Sequence, residues 1–408
     1  MKILLLTYSC SPNGGSEEKV GWQWAINLAK AGNKVTVLTK YEKGKERIIN
    51  NYLERNPDLH LSFKYIDMYQ SRTVRIVNHI FDSVSIRIQM YQLFLYRVAK
   101  KVCKHQVFDI VHQVTPVTIR VLGFSWKLGI PFFIGPLGGG QAIPIGLSYY
   151  ARNIKYVEKF RDIMNFAITH NIYYRHAMKN ITKIYCANPE TLSYMKKISS
   201  NTPLGLMSDT GGVESHKELK REFPEKKVIE ILWVGRLVEL KGLELLFDAV
   251  SQTKTKNQFI IRIVGKDQKG LQSYYKQLAK KCGIDECTKF EGETEFNRMS
   301  SIYESADIFV FTSLRESSGS VLWEAAESGL PIIMPNQNAA FLFKKSALQF
   351  SISSKNKAIN EISIFLEKLI DDNNARKEYG RLAYFNVTEK NLFKDKVKIA
   401  INDYKNTI

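Results

Sequence analysis

The stretch Arg315-Glu316-Ser317-Ser318-Gly319-Ser320-Val321-Leu322-Trp323-Glu324-Ala325-Ala326-Glu327-Ser328-Gly329-Leu330-Pro331 decides how the chain is read. The run before it, Ala306-Asp307-Ile308-Phe309-Val310-Phe311-Thr312-Ser313, is short, apolar and bounded by polar residues, as a buried parallel strand is. A helix opens near Gly319, takes its apolar face from Leu322, Ala325, Ala326 and Leu330, and stops at Gly329-Leu330-Pro331. A second buried strand, Pro331-Ile332-Ile333-Met334, follows at once. Such a strand–loop–helix–strand unit puts Glu316 at the carboxyl end of its strand, where open parallel sheets bind ligands. Gly319, Ser320 and Val321 open the helix with backbone N–H groups that lack intrahelical acceptors, a natural anion site. The flanking carboxylates, Glu316 and Glu324, repel phosphate and accept hydroxyls. Hydroxyls at both ends with phosphates between describe a nucleotide sugar. Taken singly, each glutamate also fits a solvated surface position.

The same unit repeats upstream. Ile229-Glu230-Ile231-Leu232-Trp233-Val234 runs into Gly235-Arg236-Leu237, then Glu239, Lys241 and Gly242, then a helix with Leu243, Leu245, Leu246 and Phe247. Arg236 and Lys241 thus leave a strand's carboxyl end together. The chain opens in the same way, with a strand over residues 2–8, the loop Ser11-Pro12-Asn13-Gly14-Gly15-Ser16-Glu17, a helix from about Lys19 to Ala31, and the strand Lys34–Thr39. The first strand is too short for a signal-sequence core and no small-residue cleavage site follows it. The glycine loop lacks the Gly-x-Gly-x-x-Gly spacing of a dinucleotide fingerprint. Phe108–Gln113 reads as a strand with His112 near its carboxyl end, and Pro131–Ile134 as a strand running into Gly135-Pro136-Leu137-Gly138-Gly139-Gly140.

Glu316-x7-Glu324, Gly235-Arg236-Leu237 followed by Glu239-x-Lys241-Gly242, and the Gly14-Gly15-Ser16-Glu17 and Gly135-Pro136-x-Gly138-Gly139-Gly140 loops together resemble the retaining glycosyltransferases of family 4, the group 1 type. The resemblance implies an α/β chain of GT-B fold: two Rossmann-like domains facing across a cleft, with a C-terminal helix crossing back to the first. The expected boundaries are 1–212 for an acceptor-binding domain, 213–388 for a nucleotide-sugar-binding domain and 389–408 for the returning helix. The resemblance further implies that Glu316 holds hydroxyls of the donor sugar and Glu324 the ribose. Arg236 and Lys241 would neutralise the diphosphate beside the Gly319, Ser320 and Val321 amides, and His112 would contact the donor sugar. Gly14, Gly15, Ser16, Glu17, Gly138 and Gly139 would line the cleft, with Gly15 toward the donor. After Pro335 the chain departs from the family: Asn336-Gln337-Asn338-Ala339-Ala340-Phe341 stands where many members have a glycine-rich turn leading to a glutamate.

Composition narrows the partners. The formal net charge is +19, of which +15 falls on residues 1–212. That bias suits an anionic surface or an acidic substrate. No nucleic-acid motif accompanies it. Two stretches mix bases with bulky apolar residues, 71–106 and 149–179. Both fit helices packing on a sheet, and both fit a membrane-surface face. No apolar run is long enough to span a bilayer. The five scattered cysteines fit reduced thiols in a cytosol. No Asp-x-Asp and no His/Cys/Asp cluster with metal-ligand spacing occurs, so no metal and no other cofactor is expected.

The sequence therefore predicts a retaining, metal-independent transferase that moves a sugar from a nucleotide-diphosphate donor to a glycan or lipid-linked acceptor. It would act in the cytoplasm, peripheral to the membrane, in cell-surface polysaccharide or glycolipid synthesis. The alternatives are a nucleotide-sugar epimerase of the same fold, which would turn over donor alone, and a non-catalytic nucleotide-sugar binder, which would not need Arg236, Lys241, Glu316 and Glu324 together.

Overall fold

The computed structural model describes residues 1–72, 74, 84–199, 201–215, 219, 221–255, 258–295 and 298–408. Arg75 and Phe81 of the first basic-apolar stretch lie outside these residues.

The chain divides into two compact units. The first contains Met1–Gly140, Asp162–Asp209 and Phe393–Ile408. Its seven-stranded sheet has the order β3-β2-β1-β4-β5-β6-β7, built from Lys2–Leu6 (β1), Lys34–Lys40 (β2), Leu61–Ile66 (β3), Ile110–Gln113 (β4), Phe132–Leu137 (β5), Lys183–Cys186 (β6) and Leu204–Leu206 (β7). Every pairing is parallel. Helices cover both faces, so β1 buries Ile3, Leu4, Leu5 and Leu6 in succession instead of alternating with polar residues. Ile3 and Leu5 join one apolar cluster, and Leu4 and Leu6 join the other.

The second unit contains Gln141–Arg161 and Thr210–Leu392. Its sheet has the order β10-β9-β8-β11-β12-β13: Val228–Val234 (β8), Gln258–Val264 (β9), Thr288–Gly292 (β10), Ile308–Val310 (β11), Ile332–Pro335 (β12) and Leu348–Phe350 (β13). These pairings are parallel too. The order reverses between β8 and β11, and ligands of doubly wound sheets bind at the carboxyl ends of such a pair. The two Rossmann-like units and the C-terminal helix Phe393–Lys405, which packs in the first unit, make up the GT-B architecture. Phe393 stacks edge-on against Trp24, and Asp403 takes Lys183 at 2.8 Å and the Tyr185 hydroxyl at 2.7 Å.

The division differs from the expected boundaries. Residues 141–161 belong to the second unit, the later crossing into that unit falls between Asp209 and Thr210, and the return falls at Phe393. The physical reason for the first difference is a shared core. Leu147, Tyr150, Ala151 and Ile154 pack with Leu243, Leu246 and Phe247. Tyr150 donates to Asp248 at 2.7 Å, and Arg152 pairs with Glu244. A Cβ at Gly146 would sit 2.4 Å from the backbone of Ser353, so only glycine permits this approach. No local pattern in the sequence marks that excursion.

Candidate active site

In the second unit the residues singled out by sequence converge at the β8/β11 switch point. β8 runs out through Gly235 to Arg236, and β9 runs out to Gly265 alongside it. Gly265 has φ +149° and an added Cβ would lie 1.9 Å from the Gly235 carbonyl oxygen, so these strand ends approach as only glycine allows. Arg236 is exposed, and its Nη1 donates to Gln268 at 3.2 Å. Three residues on, a single 3-10 turn, Glu239–Lys241, aims Lys241 back toward the loop after β11. That turn is clamped by hydrogen bonds: Leu314 N to Leu240 O at 2.9 Å, Thr312 Oγ1 to Lys241 O at 3.0 Å, and Trp233 Nε1 to Thr312 Oγ1 at 3.1 Å.

Gly242 closes the turn with φ +64°, and a Cβ there would meet the Thr312 carbonyl oxygen at 2.2 Å. Gly242→Ala is therefore expected to cost about 2 kcal/mol or more of stability, from the left-handed backbone plus the overlap. A shift in the denaturant midpoint checks it, and an unchanged midpoint would mean that the clamp is not needed.

Lys241 forms an ion pair with Glu316. Both side chains keep partial access to solvent, so a ligand can reach and re-partner them. The neighbouring Arg315 is fixed by a two-pronged bond to Glu158, both contacts 3.0 Å. Glu158 lies in the excursion segment, so that segment holds the residue beside Glu316. From the other side Gln337 Nε2 donates to the Leu314 carbonyl at 2.9 Å. The unusual stretch after Pro335 thus forms a buried brace under the Glu316 loop and a 3-10 turn, Asn338–Leu342.

The helix Ser320–Glu327 starts at Gly319, with φ +62° and no side-chain cap. Its first-turn amides, Ser320 and Val321 among them, have no intrahelical acceptor by helix geometry. Glu324, one turn in, accepts a hydrogen bond from the buried Tyr303 hydroxyl at 3.0 Å. Burial, then the Glu324 charge, pushes the Tyr303 hydroxyl well above its ordinary range, so it stays a donor. The Glu324 carboxylate is thereby held by a buried donor. Sequence reasoning did not single out Tyr303, and it read Gln337 only as part of a departure from the family. Tyr303 follows the ordinary pattern of a helix residue facing a core, so nothing in the sequence marks it.

In the first unit the structure joins some candidates and removes one. The Gly14-Gly15-Ser16-Glu17 loop leads into the helix Ser16–Lys30, with Gly15 as its N-cap. Glu17 accepts from the Val117 amide at 3.1 Å, and burial pushes its carboxyl up. The Gly138 carbonyl accepts from Ile119 N at 2.8 Å, and the Gly139 carbonyl accepts from Asn165 Nδ2 at 3.1 Å. The loops after β1, β4 and β5 therefore meet around residues 117–119.

His112 is not with them, which corrects the sequence expectation. It is 0% exposed, its Nε2 lies 2.9 Å from the Gly135 carbonyl, and its Nδ1 lies 2.6 Å from the Tyr404 hydroxyl. With Nε2–H donating to the carbonyl, Nδ1 accepts from the tyrosine, and the ring is neutral and fully satisfied. Burial pushes the imidazole down to about 3. Trp24, Phe133 and Tyr185 surround it. His112 is a core histidine that anchors the C-terminal helix.

Among the described residues no group of three or more His, Cys, Asp or Glu is placed to hold a metal ion. No helix among them is long and apolar enough to cross a membrane. The five cysteines are unbridged.

Comparison with known proteins bears on the fold. Over 98% of its length the chain superposes on 99% of the lipopolysaccharide outer core galactosyltransferase WaaB, with TM-score 0.65 and 12% identity. Over its full length it superposes on all of Anabaena HepE in complex with UDP and glucose, with TM-score 0.59 and 14% identity. These likenesses define a GT-B fold. Residues 215–384, the segment that carries most of the second unit and the β8/β11 site, match the family described as glycosyl transferases group 1. A D-inositol 3-phosphate glycosyltransferase of Corynebacterium kroppenstedtii is 29% identical over 160 residues, 38% of this chain and 35% of that protein. An uncharacterized glycosyltransferase of Methanocaldococcus jannaschii is 30% identical over 195 residues, 46% of each chain. The chain thus matches these curated relatives over less than half of their length.

Proposed function

We propose that the protein is a retaining glycosyltransferase of family 4 that moves a hexosyl group from a nucleotide-diphosphate sugar to a glycan or lipid-linked acceptor, without a metal. The observation that carries the reading is the convergence of Arg236, Lys241, Glu316 and the uncapped start of Ser320–Glu327 at one switch point. Two cations and a helix N-terminus supply the positive field that a departing diphosphate needs as charge builds on it. Glu316 accepts sugar hydroxyls once the diphosphate draws Lys241 toward itself, and Glu324 accepts ribose hydroxyls while Tyr303 holds it in place. The UDP in the HepE complex supports a nucleotide donor of this kind.

With His112 in the core and no second carboxylate assigned as nucleophile, front-face attack fits best. The bond between the anomeric carbon and the diphosphate oxygen breaks, and the acceptor oxygen bonds on the same face. The acceptor proton passes to the departing phosphate oxygen. The basic first half of the chain suits an acceptor carried by an anionic membrane surface, and that charge supports a peripheral enzyme of the cytoplasmic face in surface-glycan or glycolipid synthesis.

The test is a thermal-shift panel of UDP-, GDP-, ADP- and TDP-sugars with EDTA present, on wild type and Glu324→Ala. A saturating donor at about a hundred times its Kd should stabilise by roughly 2.7 kcal/mol, with one base preferred and the shift reduced in the variant. No shift with any of the four, or a shift only when EDTA is omitted, would overturn the metal-free donor site. An inverted anomeric configuration in the product would overturn retention.

A further inference from the structure

A pocket within the second unit has a chemistry that the donor site does not use. Tyr150 and Asn153 come to it from the excursion segment, Glu239 and Glu244 from either side of Gly242, and Tyr274 and Tyr275 from the first turn of the helix Gln272–Lys281. Its volume is about 120 Å³. A cavity of roughly 150 Å³ admits one six-membered ring, so this one suits a ligand of that order.

Three aromatic rings line it. Tyr150 is buried and its hydroxyl donates to Asp248 at 2.7 Å, so its ring alone is left for a ligand. Tyr274 is 37% exposed, packs edge-on against Tyr275 with centroids 5.3 Å apart, and its hydroxyl donates to Glu244 at 3.4 Å. Tyr275 is 2% exposed, and among the described residues its hydroxyl has no hydrogen-bond partner. Leaving such a group unpaired is costly, and a polar ligand in the cavity that it lines supplies the partner. Burial, then the Glu239 charge, hold that hydroxyl above its ordinary range, so it keeps its proton beside the carboxylates of the pocket.

The charge balance selects the ligand. Glu244 pairs with Arg152 at 2.9 Å, and Glu239 with Lys269 at 3.1 Å. Each carboxylate is matched by its own cation, so the pocket has no surplus charge with which to hold an ion. Neutral hydroxyls suit it better, because carboxylates accept from them and the exposed Asn153 amide both donates and accepts. Tyrosine faces beside such groups match a pyranose, whose C–H side is apolar and whose rim carries hydroxyls.

We propose that this pocket is an accessory site for a neutral sugar ring, distinct from the donor site. Glu239 begins the turn that ends in Lys241, so the two sites share one three-residue element. The accessory site goes beyond the transferase reading and does not require it.

The experiment is saturation-transfer NMR on the full chain with the methyl glycosides of glucose, galactose, mannose and N-acetylglucosamine, and with tetramethylammonium chloride as the cationic control. It compares wild type with Tyr274→Ala, Asn153→Ala and Lys241→Met. At least one glycoside should bind wild type and bind Lys241→Met equally well. Its affinity should fall about fivefold or more in Tyr274→Ala, which removes a ring face. Asn153→Ala, on the other wall, should weaken it too. Both side chains are exposed, so a thermal melt should show both variants folded. The inference is overturned if no glycoside binds, or if tetramethylammonium binds in preference to the sugars, in which case the pocket is a cation cage. It is equally overturned if the glycoside signal survives in both pocket variants and disappears in Lys241→Met, because the sugar then occupies the donor site. Donor-induced thermal shifts on the same samples separate the two readings: a retained shift without glycoside binding sinks only the accessory site, and glycoside binding without any donor shift sinks only the transferase.

Discussion

Lys241→Met is expected to lower turnover by ~100–1000-fold while leaving the fold intact. Its ammonium, with the Arg236 guanidinium, is a side-chain cation assigned to the diphosphate at the β8/β11 switch point, and removing one preorganised group that meets developing charge typically costs that much. The loss should fall mainly on kcat, because the diphosphate gains charge as it departs and the interaction strengthens toward the transition state. Lys241→Arg should recover part of it, since charge returns with altered geometry. Glu316 loses its partner in the methionine variant, but it keeps partial access to water, so stability should change little. Steady-state kinetics with the preferred donor, alongside a thermal melt, checks both halves. A variant with wild-type kcat would remove Lys241 from the mechanism.

His112→Ala should have the opposite signature: a destabilisation of about 3–5 kcal/mol with normal specific activity in whatever folds. The substitution empties a site enclosed by Trp24, Phe133, Tyr185 and Tyr404, and it strands the Tyr404 hydroxyl and the Gly135 carbonyl. The imidazole also confers a pH dependence. Its folded value of about 3 lies below the ordinary ~6.5, so the unfolded chain binds the proton first as pH falls. The stability that it contributes is fully present above pH ~6.5 and is lost as pH drops from there toward 3. In His112→Gln that part of the acid limb should vanish from a plot of Tm against pH. A catalytic histidine would give the reverse pattern: an intact melt and a dead enzyme.

The contrast between these two residues explains what was legible in the sequence. The parallel sheets were legible because strands such as Leu4-Leu5-Leu6 and Ile308-Phe309-Val310 are apolar without alternation, and because Gly32, Gly242 and Gly329 punctuate the helices. The clustering of Arg236, Lys241, Glu316 and Gly319 was legible because all four follow strands closely, and a residue just past a parallel strand has few places to go but the switch point. His112 sits inside its strand, not past it, and a strand residue's exposure depends on what covers it. What covers it is Tyr404, 292 residues away, and no local pattern reports that contact. Residues 141–161 join the second unit for the same reason: Tyr150 and Gly146 commit to partners nearly a hundred residues on or further. Gln337 read only as a departure from the family, and its role as a brace under Leu314 emerges from the folded loop alone.

The most direct test of the donor site is calorimetric titration of UDP, GDP, ADP and TDP, in EDTA, into wild type, Lys241→Met and His112→Gln at one temperature where all three are folded. One diphosphate should bind wild type, bind His112→Gln equally well, and bind Lys241→Met about ten to a hundred times more weakly, the loss of one charge-assisted contact. Equal affinity in wild type and Lys241→Met, or binding that fails in His112→Gln instead, would contradict the assignment of the β8/β11 switch point as the donor site.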